Sequence, residues 1–468
     1  MSIKPEHLQI KQPIIYDNSI VRSEIIEVYP ACGLNQANLN SADSQLRFIL
    51  NSENRFLHLA SSKTGFRIRV GYITRAGVHN DRNAKCTLVS NWANHLFSSA
   101  KFNLCGTTIE HVQNLGIATD ILLHLRGEEF RKYEGDIEGF IPDTGNGTAS
   151  DVISNTPTFV AGGVGDGAGI VDSLSNKSLT KNTNYNEGFE KRLRIYNYRL
   201  AHDNDVRYAE AFIPLKSIFS FCDEYNRVLK YINFEIELIR QANNQRIYFG
   251  AVDTSLAFGD PNTTGLLNIV LEIESITPTP QLSVELDNEL KEPIHIAFLE
   301  RTCINRVAGQ SQTWDVSETR FTAPRYVFIV NYQGNRNLFP HSDINYIQVV
   351  IDGEVTPNLQ QCCRFLENRY TKFYQSYKDV CKYFDMGTGM TMCEFADLYT
   401  IFVIDVSNQK DKIKGTNSNM SIRVHRNAIP ADDANRCNPQ NAEYYILILQ
   451  EKHIKLNCLT GMVETVLI

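Results

Sequence analysis

This chain holds residues able to act as nucleophiles, bases or metal ligands, but their spacing does not gather them. The run GGVGDGAG, Gly162 to Gly169, has the glycine density of a turn that cradles phosphate. Its glycines miss the G-x-G-x-x-G register, no Lys-Ser or Lys-Thr follows, and no strand-to-helix unit frames it, so it reads as a loop. The 11 histidines stand singly. A metal enzyme on a β-sandwich would draw on an H-x-H pair, a carboxylate and a further histidine, and no H-x-H occurs. Cys362 and Cys363 are vicinal, a poor geometry for a structural disulfide and unlike a zinc knuckle. G-x-S-x-G, H-E-x-x-H and Cys-x-x-Cys are all absent. His95 and His111 read as ordinary surface or interface residues. The expectation is a chain with no catalytic, cofactor-binding or metal-ligating residue, and no enzymatic activity.

What the sequence does supply is strands. Phe66, Ile68, Val70 and Tyr72 alternate with Arg67, Arg69 and Gly71. Ile232, Phe234, Ile236 and Leu238 alternate with Asn233, Glu235 and Glu237, and Leu267, Ile269, Leu271 and Ile273 alternate with Asn268, Glu272 and Glu274. Each is the pattern of a strand with one buried face. Denser runs follow at 325–332, 399–406 and 443–450, which would be buried on both faces or at an interface. No regular alternation of helix with strand marks βαβ units. The fold class is all-β, two tandem antiparallel β-sandwiches with short helices and long loop insertions.

The stretch SNWANHLFSSAKFNLCGTTI, Ser90 to Ile109, adds detail. Trp92, Ala93, Leu96, Phe97 and Ala100 line one face of a short helix capped by Ser90 or Asn91. Phe102 and Leu104 then alternate with Asn103 and Cys105, and Gly106 marks a tight turn. The segment VIDGEVT (350–356) echoes NLCGTTI (103–109). Three prolines interrupt pairing in 274–293 and divide the chain into residues 1–283 and 284–468.

Two insertions stand out. Residues 139–188 are rich in Gly, Ser, Asn and Thr and read as a long exposed loop. Over about 359–384, Leu366, Tyr370, Phe373, Tyr377, Val380 and Phe384 step by four and three. That is an amphipathic helix, packed on its own sheet or against another subunit.

Composition sets the outer limits. At 468 residues there is room for two to three domains. A formal charge of −7 argues against strong direct nucleic-acid binding. The densest basic cluster, Lys191, Arg192 and Arg194, reads as a strand with a solvated face. The opening MSIKPEHLQIK lacks an apolar signal core, and no apolar run suits a membrane span. An odd set of 11 cysteines without regular spacing points to reduced thiols and synthesis inside a cell. The 21 tyrosines and 24 phenylalanines, joined by Asn-rich and Gly-rich loops, suit β-structure with aromatic interfaces.

Taken in order, these segments resemble the double jelly-roll major capsid proteins of the Polinton (Maverick) and adintovirus group, relatives of virophage and adenovirus-type capsomers. The resemblance is carried by NWANHLFSSAKFNLCGTTI (91–109), FIPLKSIFSF (212–221) and VLKYINFEIELIRQANNQRIYF (228–249). It continues in PRYVFIVNYQGN (324–335), YIQVVIDGEVTPN (346–358) and MTMCEFADLYTIFVIDVS (390–407). Cys105 stands where that family often has Asn or Asp, and 139–188 aligns with nothing in it. The resemblance implies a structural subunit whose homotrimers are six-sided capsomers of an icosahedral shell. Its partners would be neighbouring capsomers and penton or minor capsid proteins, with the virion as its place. A competing reading is a tandem β-sandwich that recognises glycans or a receptor through its loops.

Overall fold

The structure, a computed structural model, describes residues 19–35, 39–52, 55–73, 86–144, 186–197, 206–241, 247–250, 265–307, 313–332, 337–358, 362–384, 387, 389–407, 418–427 and 443–466. The glycine run 162–169 and most of the 139–188 insertion lie outside them.

The first half contributes β1 (Ile20–Val28), β2 (Gln45–Asn51), β3 (Phe56–His58), β4 (Gly65–Ile73), β5 (Cys86–Leu88), β6 (Phe97–Leu104), β7 (Thr107–Gln113), β8 (Val206–Pro214), β9 (Val228–Leu229), β10 (Asn233–Arg240), β11 (Tyr248–Gly250) and β12 (Gly265–Pro278). The second contributes β13 (Ile294–Val307), β14 (Thr313–Phe321), β15 (Pro324–Tyr332), β16 (Ile344–Ile351), β17 (Glu354–Thr356), β18 (Phe402–Asp405), β19 (Ser418–Arg426), β20 (Glu443–Asn457) and β21 (Met462–Val466). Every ladder between named strands is antiparallel.

The order of pairing repeats. One sheet runs β1-β12-β4-β8 and its partner β2-β10-β6-β7; in the second half these become β13-β20-β15-β18 and β14-β19-β16-β17. Among the eight strands of these two sheets in each half, the first pairs the eighth, the second pairs the seventh, and the two sheets face across an apolar core. That is the connectivity of a jelly roll, present twice. Even the additions match: β3 beside the end of β12 and β21 beside the end of β20.

The echo between 103–109 and 350–356 is structural. Cys105-Gly106 and Asp352-Gly353 are two-residue turns with positive φ at both positions, 49° and 82° in one and 48° and 89° in the other. That is the hairpin turn matched to the right-handed twist of strands, and it favours Gly at the second position.

Several expectations change in detail. The helix after Ser90 is only α1 (Trp92–His95), and Phe97 and Ala100 belong to β6, because the β6–β10 ladder begins at the Phe97–Arg240 pair. Asn91 stands at its N-cap position in the left-handed region but makes no side-chain cap; its Nδ2 donates to Gly116 O and Thr119 Oγ1 instead. In β12 a register shift between Leu266 and Asn268 buries Leu266 and leaves Leu267 half-buried. Pro278 still lies within the β1–β12 ladder, and Pro280 opens a helix, α7 (Pro280–Glu289), rather than an irregular linker.

The dense runs are buried on both faces for a visible reason. Tyr444 turns inward onto Trp314, ring centroids 4.6 Å apart, while Tyr445 and Tyr332 turn outward and meet edge to face at 5.6 Å. At the edge of that sheet α8 (Thr371–Tyr383) packs along β18, with Phe373 on Phe402 at 5.0 Å. The helix starts later than its stripe suggested. Leu366 lies in a single 3-10 turn, Phe365–Glu367, and Tyr370 is the residue before the first helical turn. Phe373, Tyr377, Val380 and Cys381 are the buried face, with Phe373 against β18 and Tyr377 against the first roll.

Candidate functional site

A set of buried polar groups lies where the two rolls touch. β13 is an edge strand, paired along its length with β20 and on its other side facing the first roll. An edge strand leaves alternate backbone groups without a ladder. Here side chains of the first roll satisfy them in sequence. Glu224 Oε1 accepts the N–H of Leu299 at 2.9 Å, Glu110 Oε1 that of Arg301 at 3.2 Å, and Asn114 Nδ2 donates to Cys303 O at 3.2 Å. Glu110 also accepts the N–H of Phe221 at 3.2 Å. The Arg301 guanidinium donates to the carbonyls of Ser217 and Ile218, at 2.7 and 2.8 Å, at the end of the short helix α5 (Leu215–Ile218). Glu110 is fully enclosed, and burial lifts its carboxyl to about 7 although Arg301 and the backbone donors pull the other way.

Beside this edge, the chain segments that join equivalent strands meet. From β7 to β8 the first roll passes through α2 (Leu115–Leu125), α3 (Gly135–Glu138) and α4 (Glu187–Arg192); from β17 to β18 the second passes through α8 and α9 (Met392–Asp397). Tyr377 of α8 donates its hydroxyl to His124 O of α2 at 2.7 Å. The His124 ring lies 3.9 Å from Tyr399 and is boxed by Phe140 and Phe339 at 5.0 and 5.8 Å. Burial, then Arg131, pushes its pKa well below the ordinary range, so it is neutral. Arg131 reaches Glu394 of α9 at 3.7 Å, and Asn337 Nδ2 donates to Ser90 O at 2.8 Å.

Of the two places the sequence allowed, surface or interface, His95 takes the interface. It is buried, its Nε2 lies 2.7 Å from Asp120 of α2, and its ring stacks on Tyr332 of the second roll at 6.4 Å. The other side of the ring rests so closely on Gly116 that a Cβ there would overlap it. A His–Asp pair enclosed in this way has no room for a substrate and reads as a packing element. His111, half-buried with its pKa lowered by burial, stands at the same seam near Lys101, Glu237 and Glu300.

The third part of the seam is the base of the 139–188 insertion, whose ends are buried rather than exposed. Phe140 and Ile141 belong to the core. Asp143 Oδ1 accepts from Arg192 Nη2 at 2.6 Å and from Asn186 Nδ2 at 2.8 Å, and its N–H donates to the Tyr399 hydroxyl at 2.7 Å. Arg192 Nη1 donates to Ile141 O. Across the two ends, Thr144 N–H donates to Asn186 Oδ1 at 3.2 Å and Glu187 N–H to Thr144 Oγ1 at 2.8 Å. Asn186 also caps α4 by accepting from Phe189 N–H at 3.0 Å. Gly188 is required by close approach, since a Cβ there would collide with Pro142 O. The basic cluster 191–194 is therefore helix and π-turn, not a solvated strand. Lys191 pairs with Asp136, Arg192 with Asp143 and Arg194 with Glu190, so its charge is locally neutralised.

Sequence reasoning missed Glu110, His124, Asp143, Arg192 and Tyr399. One signal was available: Asn186 followed by Glu187 is a helix start, which would have made Arg192 helical. Among the described residues no cluster of three His, Cys, Asp or Glu could hold a metal, and no helix is long and apolar enough to cross a membrane. What this seam can do is hold two jelly rolls in one fixed relation.

Residues 169–449, well over half of the chain, match the family model described as the double jelly roll-like domain. The chain belongs to that family. Solved structures agree along its whole length. The Sputnik virophage structure from cryo-EM covers 100% of this chain and 93% of its own at a TM-score of 0.61 and 10% identity. The mavirus major capsid protein covers 100% and 95% at 0.53 and 11%, and the Faustovirus major capsid protein 95% and 92% at 0.50 and 10%. At identities this low the likeness shows the shared fold alone. Among curated proteins none matches the chain.

Proposed function

We propose that this chain is a structural major capsid protein, not an enzyme, whose homotrimers form pseudo-hexameric capsomers of an icosahedral shell. The observation that carries the reading is the twice-repeated jelly roll joined by a buried seam, together with end-to-end likeness to virophage, mavirus and Faustovirus capsid subunits. Two equivalent sandwiches in one chain give three chains six similar wedges, the geometry of a hexagonal tile. The two units are residues 1–283 and 284–468, with α7 bridging them. Within the family the segment resemblances favour the Polinton and adintovirus group. Neighbouring capsomers and penton or minor capsid proteins would be the partners, and the virion the location, after synthesis inside the host cell.

Light scattering of the purified chain, followed by negative-stain imaging of the same sample, tests this. A trimer with hexagonal outline, or closed shells, is the expected result. A monomer that assembles in no salt or pH condition would overturn it and direct attention to glycan and receptor screens.

A further inference from the structure

Two cysteines from different rolls stand together at the seam. Cys105 is the first residue of the β6–β7 turn and is half-buried; Cys458 directly follows β20 and is buried. The turn after β20 folds over Cys105: a Cβ on Gly461 would lie 3.5 Å from the Cys105 sulfur and 3.6 Å from its Cβ. Asn457 Oδ1 holds that turn by accepting the N–H groups of Leu459 and Thr460, each at 3.1 Å. The Cys458 thiol also lies within electrostatic reach of Cys105. Burial first, and then the charge Cys105 would carry, push the Cys458 thiol up to about 11. Cys362 and Cys363 also sense one another, but they are chain neighbours.

We propose that Cys105 and Cys458 are a disulfide-forming pair that ties the two rolls covalently once the reduced chain meets a disulfide oxidant such as glutathione disulfide. The thiolate is the attacking species, and a buried thiol with a raised pKa is slow to attack. Cys105, the more exposed, therefore reacts first. Its thiolate attacks one glutathione sulfur, forms a mixed disulfide and releases one glutathione thiolate. Cys458 then loses its proton, attacks Cys105 Sγ and displaces the second glutathione. Two protein thiols are oxidised by two electrons, and one glutathione disulfide is reduced to two glutathione thiols. The bond requires the two Cβ atoms to settle about 3.5–4.5 Å apart, and both cysteines sit at turns, where small backbone adjustment is easiest. The proposal does not depend on the capsid reading.

The test equilibrates the full native chain with glutathione disulfide, blocks remaining thiols with iodoacetamide, digests without reduction and maps the peptides by mass spectrometry. The expected result is a Cys105–Cys458 linked peptide and a higher thermal midpoint, both reversed by dithiothreitol. In Cys458→Ser the linked peptide disappears and Cys105 is recovered as its glutathione adduct; Cys105→Ser, at the more exposed turn, supplies the same loss if the first variant fails to fold. Alkylation of both cysteines in the oxidised native chain, a stable glutathione adduct on Cys105 there, or linkage of either to a different cysteine would each overturn the proposal.

Discussion

The connections from β7 to β8 and from β17 to β18 occupy the same place in the two jelly rolls, yet they are fastened by opposite physics. The first is pinned by a buried ion pair, Arg192 with Asp143, and by Asn186, Thr144 and Tyr399 around it. The second is laid down by aromatic packing, with Phe373 on Phe402, Tyr377 beside Phe395 and Phe384 against Tyr326. Apolar packing stabilises through area but tolerates many arrangements. A buried ion pair contributes little net stability, because desolvation offsets its attraction, yet either charge without its partner is costly. The polar clamp therefore suits a connection whose two ends must meet at one point regardless of the chain between them. The apolar one suits a continuous helix packed along a sheet edge.

That contrast is breakable. Arg192→Met should cost about 3–5 kcal/mol in denaturant unfolding, because Asp143 would be left charged and buried. Adding Asp143→Asn should recover much of it. Phe373→Ala should cost a similar amount, about 3–5 kcal/mol, but no second truncation should rescue it. A loss under about 1 kcal/mol for Arg192→Met would mean the clamp is not what holds the first connection.

The pH dependence of the seam comes next in size. Glu110 is raised from an ordinary 4.5 to about 7 in the folded chain. Its stabilising contribution is thus fully present below about pH 4.5 and is lost as pH rises through about 7. At about 1.4 kcal/mol per unit the swing is about 3 kcal/mol at most. Buried Asp120 and Glu138 shift in the same direction. His124, lowered by burial, acts with the opposite sign: its contribution is present above its ordinary 6.5 and is lost as pH falls. Glu110 should pull urea midpoints down as pH rises between about 4.5 and 7, so Glu110→Gln should remove that downward component over about pH 5–7 and leave the slope above about pH 8 as it was. An unchanged slope over about pH 5–7 would remove Glu110 from the account.

Gly188→Ala should destabilise by about 1–3 kcal/mol, the range for overpacking against a fixed group, here Pro142 O. The smallest effect compares the two hairpins. Asp352-Gly353 already carries a residue that tolerates positive φ, whereas Cys105-Gly106 does not. Cys105→Asn should therefore stabilise by less than about 1 kcal/mol, and Asp352→Ala should cost a similar amount. Opposite signs in thermal melts would sharpen the equivalence of the two rolls; equal signs would break it.

Much of the β-architecture was legible because a half-buried strand writes its burial into a period of two. Phe66, Ile68 and Val70, or Phe234, Ile236 and Leu238, declare one face without knowing what covers it. The pattern failed where pairing was irregular, as at Leu267, and where ladder bonds claimed residues with helical spacing, as at Phe97 and Ala100. Arg192 misled for a different reason. A charge that will be buried looks, in one dimension, like one that will be solvated.

By itself, then, the sequence determined the strands, the paired Gly turns, the two insertions and, through its resemblance, the double jelly roll. Those features depend on residues a few positions apart, whose preferences act locally. The tertiary structure alone decided the seam. Glu110 finds Arg301 across 191 positions, Tyr377 finds His124 across 253, and Asp143 finds Tyr399 across 256. No periodicity encodes such contacts, because they exist only after each roll has closed and presented its edge to the other.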